Sequence, residues 1–177
     1  MIELRAIQES DLGLFLAWRN DRKLRQYFRE YRELTVADQI NWFQNLAGDS
    51  TRAMFTVEEI KSYEKDGKES EGRRPIGCAG ITNIDWFHRS GEVSCYVEST
   101  YIDERAEEAI EKLISVGFTD YGLHRLYAEV WAFDDLKGKA LKKAGFRHEG
   151  TLAKSHWYNG AFHDSLLFGL LNKSANG

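Results

Sequence analysis

Along the last third of the chain the spacing of apolar positions changes twice, and each change marks an element. Leu126, Ala128 and Val130 alternate with polar or amphipathic neighbours, which is the period of a half-buried strand. In 137–144 the period lengthens: Ala140, Leu141 and Ala144 share one helical stripe, and Gly145 follows where a left-handed residue ends a helix. Segments 146–151 and 162–170 then read as a strand pair around Asn159-Gly160, a dipeptide that accepts the positive backbone angles of a tight hairpin.

The front of the chain has its own punctuation. A short strand is predicted over 2–5. Ser10 is placed to cap a helix over 11–19, whose apolar face carries Leu12, Phe15, Leu16 and Trp18. After a loop at 28–32, Thr35 and Asp38 have nearly the spacing of a capping box, ahead of a helix that carries Ile40, Trp42, Phe43 and Leu46. Central strands are predicted over 54–60, 75–82 and 91–97, the last two joined by 83–90. A charged surface loop is expected at 61–74 and a flexible tail at 172–177. A helix over 107–118 turns Ala109, Ile110, Leu113, Ile114 and Gly117 to the core.

Strand, short helix, Gly145-Phe146 and aromatic hairpin, in that order, resemble the C-terminal half of the GCN5-related N-acetyltransferases (GNAT). Near the front, Trp18-Arg19-Asn20 resembles a signature of the branch that acetylates ribosomal-protein N-termini, polyamines and amino-sugar nucleotides. The resemblance spans nearly all of the chain. It implies one α/β domain over 1–177, with a mixed central sheet of about six to seven strands flanked by about four helices. It also implies an acyl-CoA-dependent transferase that acetylates the primary amine of a small molecule, an amino-sugar nucleotide or a peptide N-terminus, with acetyl-CoA as donor.

Composition narrows this picture. One domain is the natural reading of 177 residues, and 42% hydrophobic with 13% aromatic residues supplies its core. A net charge of -4 argues against a nucleic-acid surface, which needs clustered Lys and Arg, but leaves a small cationic substrate open. No apolar run reaches the roughly 18 residues of a membrane span, and Met1 leads straight into a strand. Cys78 and Cys95 fall in apolar strands and read as buried thiols rather than a disulfide, so a cytoplasmic compartment is expected. The five His residues show no metal-ligand spacing, and no Gly-x-Ser-x-Gly occurs. A homodimer is left open.

The resemblance also assigns site residues. In the family a loop of the form Arg/Gln-x-x-Gly-x-Gly/Ala holds the CoA pyrophosphate at a helix N-terminus. Here it falls on Tyr101-Ile102-Asp103-Glu104-Arg105-Ala106, where only Ala106 fits. Asp103 and Glu104 would repel an anion, each pair costing on the order of 1 kcal/mol. Phosphates would then lean toward Arg105 and toward Lys137, Lys139, Lys142 and Lys143, with Lys139 and Lys143 on one face suited to a 3′-phosphate. Asp134 occupies the family's Asn position and Leu141 its Tyr position, so the usual proton donor is absent. Backbone N–H groups of Cys95, Tyr96 and Val97 are the ones that meet the thioester carbonyl. Glu92 and Glu98 are the candidate proton acceptors and Tyr96 an alternative acid.

The acceptor pocket is assigned to Trp18, Arg19, Asn20, Phe28, Arg29 and Tyr31, with His156, Tyr158 and His163 from the final hairpin. Arg19, Arg29 and Arg32 beside Tyr27, Phe28 and Tyr31 suit an anionic or sugar-nucleotide acceptor better than a polyamine. Two functional readings follow: an N-acetyltransferase with an unusual phosphate loop, or a GNAT-fold protein that binds CoA poorly or not at all and serves as a binding or regulatory module.

Overall fold

The computed structural model describes residues 1–65, 68–98 and 103–173. Seven strands form one sheet: β1 (Ile2–Ala6), β2 (Ala53–Lys65), β3 (Lys68–Asp85), β4 (Ser90–Val97), β5 (Arg125–Trp131), β6 (Arg147–Tyr158) and β7 (Ala161–Leu171), in the spatial order β1-β2-β3-β4-β5-β7-β6. Every neighbouring pair is antiparallel except β4 and β5. The five described α-helices are α1 (Leu12–Asn20), α2 (Arg22–Arg25), α3 (Val36–Leu46), α4 (Glu104–Ser115) and α5 (Asp135–Lys143).

Helices cover both faces of the sheet. On one face Phe15 of α1 packs against Trp18 of the same helix and Trp42 of α3, and Trp18 meets Tyr96 of β4. On the other face α4 lies against β4, β3 and β1, while α5 packs beside α4. Covering on both sides leaves β4 buried along nearly its whole length, although Ser90, Glu92 and Ser94 alternate with apolar residues in its sequence. Ile110 and Leu113 of α4, Leu141 of α5 and Phe168 of β7 are all sealed in the core, each such side chain contributing roughly 1.5–3 kcal/mol.

Local chemistry sets the element boundaries. Thr35 and Asp38 form the expected capping box. Gly145 ends α5 at φ +95°, and Asn159 and Gly160 turn the β6–β7 hairpin at φ +47° and +81°, angles that L side chains other than Asn seldom adopt. Ser10 does not cap α1. Glu9–Asp11 is a 3₁₀ turn with Gln8 as its N-cap, and the backbone N–H of Gln8 donates to the Asp11 carboxylate. Helix α4 begins at Glu104, three residues ahead of the expected start, because the Asp103 side chain caps it. A π-helical turn, Val116–Asp120, follows it.

The segment 61–74, expected as a charged loop, is paired as strand on both sides of the hairpin, with Lys61 opposite Gly72 and Tyr63 opposite Ser70. The ladder of β2 and β3 runs on past the core, and its charged side chains are solvated on either face. In the expected tail, Asn172 is held by hydrogen bonds to the carbonyls of His124 and Leu123, and residues 174–177 lie outside the described part.

Candidate active site

Strands β4 and β5 pair only where Ser90, Gly91 and Glu92 face Arg125, Leu126 and Tyr127. Beyond that the two strands have no ladder between them, and a cleft of about 300 Å³ opens. Its walls carry Glu92, Ser94, Cys95 and Tyr96 from β4 and Glu129 and Trp131 from β5, with Arg19, Phe28 and Arg29 above and Asp134 and Lys137 below. A strand edge released in this way is a ready acceptor of an extended amide-containing chain.

At the closed end of the cleft, Glu92 is buried and accepts two hydrogen bonds from Arg29 at 3.1 and 2.5 Å and one from the Asn83 amide at 2.8 Å. Arg29 also reaches Glu129 at 3.0 Å. Burial pushes the Glu92 carboxyl upward, but Arg29, Asn83 and the nearby Lys137 charge outweigh it and hold the group below the usual carboxylate range. Tyr96 is buried between Phe28 (ring centroids 5.0 Å apart) and Trp18, and burial raises its phenol well above the ordinary value. Its hydroxyl therefore stays protonated.

Above the cleft, Arg19 places its guanidinium 4.4 Å from the Phe28 ring centroid. Asn20 does not enter the cleft. Its amide donates to the Leu34 carbonyl and its oxygen accepts from the Leu34 N–H, both at 2.8 Å, so it clasps the loop between α1 and α3. Trp18 packs into the core cluster. A neighbouring groove is lined by Arg22, Arg25, Phe28, Arg29, Tyr31 and the hairpin residues His156, Trp157 and Tyr158. Tyr158 donates from its hydroxyl to the Gln26 side chain at 3.0 Å, which joins the hairpin to the acceptor-side loop. His156 stacks on Trp131 at 3.8 Å, and burial together with His163 depresses its pKa. Glu98 lies apart from the cleft, paired with Arg74 and with Arg105 at 3.7 Å.

The N-terminus of α4 is already occupied by its own chain. Asp103 accepts from the N–H groups of Arg105 and Ala106 at 2.9 and 3.3 Å, and from the Arg105 guanidinium at 2.7 Å. The depression beside it is lined by Glu59, Asp103, Glu104 and Glu107 against Arg105 and Lys139. Lys143 is turned to Glu107 at 2.5 Å, whereas Lys139 lines the depression. Tyr101 lies outside the described residues. At α5, Asp134 caps the helix by accepting the Lys137 N–H at 3.1 Å, and Leu141 is fully buried.

An acetyltransferase (GNAT) domain family matches residues 2–147. The chain belongs to the GNAT acetyltransferase family. It is an N-acetyltransferase whose acyl donor is acetyl-CoA. It is 26% identical to the uncharacterized N-acetyltransferase YoaA of Bacillus subtilis over 170 residues, covering 95% of this chain and 92% of that one. It is 24% identical to the uncharacterized N-acetyltransferase p20 of Bacillus licheniformis, covering 99% and 96%. A solved structure of spermidine N-acetyltransferase from Vibrio cholerae in complex with CoA and spermine superposes with a TM-score of 0.81 at 23% identity, over 96% of this chain and 95% of that one. A dodecameric structure of the Vibrio enzyme gives 0.77 at 22% identity, over 99% and 96%.

The two ends of the donor site differ in fit. The splayed edge of β4 suits the acyl-bearing pantetheine arm. Among the described residues, the self-capped α4 terminus and its acidic rim do not suit a pyrophosphate. Sequence reasoning grouped Lys137 with the phosphate-side lysines, whereas it lines the cleft, and it passed over Glu129 and Asn83. Strand alternation could have flagged Glu129, which shares its side of β5 with Tyr127 and Trp131.

Proposed function

We propose that this chain acetylates the primary amine of a small molecule, an amino-sugar nucleotide or a peptide N-terminus in the cleft between β4 and β5. The observation that carries the reading is that the buried carboxylate of Glu92, held by Arg29 and Asn83, and the Tyr96 side chain both line that cleft from β4. When bound, acetyl-CoA supplies the activated acetyl thioester. Glu92 and Glu129, bridged by Arg29, present negative charge to an incoming ammonium group, and water between them and the amine carries its proton away. Tyr96 offers a hydrogen-bond donor to negative charge that develops in the cleft. The aromatic neighbours Trp18, Phe28 and Trp131 exclude bulk water, which strengthens both effects.

The test is thiol release from acetyl-CoA with a panel of amines, comparing the wild type with Tyr96→Phe. Acetylation of at least one amine, with kcat reduced about tenfold or more in the variant, is expected. No thiol release with any amine, and no change in melting temperature with CoA, would favour the alternative of a binding module. The capping of α4 by Asp103 is the observation on that side.

Cys78 and Cys95 are free and buried, which fits a reducing, cytoplasmic compartment. No helix among the described residues is long and apolar enough to cross a membrane. A homodimer or larger homo-oligomer fits the exposed Trp157 and Phe162 of the final hairpin, and light scattering of the purified protein reads the state directly.

A further inference from the structure

The charges that line the cleft do not cancel once their partners are assigned. Its carboxylates are all engaged: Glu92 by Arg29 and Asn83, Glu129 by Arg29, Glu30 by Arg32, and Asp134 by the first turn of α5. Two of its cations are not. Among the described residues neither Arg19 nor the Lys137 ammonium has an ion pair or a side-chain hydrogen bond, although both line the cleft. Glu30, the carboxylate whose charge Arg19 feels, is committed to Arg32.

The two cations come from different elements. Arg19 stands on α1, on one face of the sheet, and Lys137 rises from the first turn of α5 on the other. Lys137 is only partly exposed, and burial lowers its pKa against the pull of Asp134 and Glu92. A cation without an ion pair in a half-enclosed cleft carries a desolvation cost, which the more distant Asp134 and Glu92 offset only in part for Lys137. A ligand anion removes that cost.

We infer, building on the transferase reading above, that the acceptor is an amine that also carries a carboxylate or phosphate group, recognised by Arg19 and Lys137. A polyamine presents the opposite charge pattern. Each ammonium beyond the reacting one would need a spare carboxylate, and the cleft has none that is not already bonded. The Vibrio enzyme of similar fold, solved with spermine, is therefore a guide to architecture and not to this acceptor.

Thiol release from acetyl-CoA is measured for the full-length protein with L-glutamate, glucosamine 6-phosphate, ethanolamine and spermidine. The inference expects one of the two anionic amines to exceed both other acceptors by about tenfold or more in kcat/KM, and which one wins distinguishes carboxylate from phosphate. Lys137→Met and Arg19→Met should raise KM for that acceptor about fivefold or more. The accompanying rise in KM for ethanolamine, which carries no anionic group, and in the calorimetric Kd for CoA should be at least about threefold smaller. Preference for spermidine or ethanolamine overturns the inference and leaves the transferase reading standing, as does an equal loss with every acceptor or a matching loss of CoA affinity. If no amine is acetylated, the transferase reading fails and binding alone decides. A melting temperature raised by either anionic amine in the wild type but not in Lys137→Met upholds the inference, and no shift overturns it.

Discussion

Arg29 and Glu92, 63 positions apart in sequence, meet at the closed end of the cleft through a two-pronged ion pair whose shorter contact is 2.5 Å. Glu92 is buried while Arg29 remains half exposed, so the pair defines an edge where a carboxylate inside the protein is kept ionised by a cation at its mouth. Burial alone would push the Glu92 carboxyl up, and the guanidinium is the largest influence holding it down. Arg29→Met should therefore move the acidic limb of kcat/KM to higher pH, because Glu92 then takes up its proton sooner as pH falls. Glu92→Gln should remove that limb and lower kcat. A limb that stays in place in both variants would show that Glu92 does not control proton transfer.

The cap on α4 leads to a second expectation. Replacing Asp103 and Glu104 by glycine frees the N–H groups of Arg105 and Ala106 and removes two like charges from the rim. CoA binding should tighten by at least about tenfold, or roughly 1.4 kcal/mol. Loss of the N-cap should cost about 1 kcal/mol of stability. Calorimetric titration and thermal melting read the two effects separately. If affinity falls instead, the acidic rim takes part in recognising the ligand.

Much of the fold was legible because it rests on local signals. The capping box at Thr35 and Asp38, the left-handed Gly145 and the Asn159-Gly160 turn are each decided within a few residues. Boundaries that depend on a long-range partner were not. The strand pairing of 61–74 needs β2 and β3 to face each other across solvent, and the 3₁₀ turn before α1 needs Asp11 to be claimed by Arg5. The site divides in the same way. Tyr96 and Glu92 follow from the strand, but the direction of Lys137 depends on how α5 docks, and the clasp formed by Asn20 depends on a carbonyl 14 residues away.

The two cysteines should be chemically silent in the folded protein. Burial drives the Cys78 thiol far up and the Cys95 thiol up to about 12, so almost no thiolate exists at neutral pH. Iodoacetamide at pH 8 should leave both unmodified in the native state and modify both in guanidinium chloride, as counted by mass spectrometry. Rapid labelling of the native protein would mean that the strands carrying them open far more often than a sealed core allows.

Asp11 should set the acid limit of stability. It is 2% exposed, receives two hydrogen bonds from Arg5 at 2.8 and 2.9 Å, and accepts from the Gln8 N–H and the Thr56 hydroxyl at 2.9 and 2.8 Å. Burial opposes its ionisation, yet these partners together lower its pKa below the ordinary value. Because the folded pKa is depressed, the stabilisation is complete above the unfolded value of about 3.9 and is lost as pH falls through the lower folded one. Asp11→Asn keeps the shape but leaves Arg5 with only Glu58 as an ion-pair partner, at 2.8 Å. Breaking one side of such a buried pair costs about 3 kcal/mol, which corresponds to roughly 6–12 °C in melting temperature for a chain of this length. The loss should be present at pH 7 and shrink only as pH falls through the lowered folded pKa of Asp11, where the wild type gives up the same interaction. A difference between wild type and variant that is constant with pH would place the stabilisation in packing rather than in the carboxylate charge.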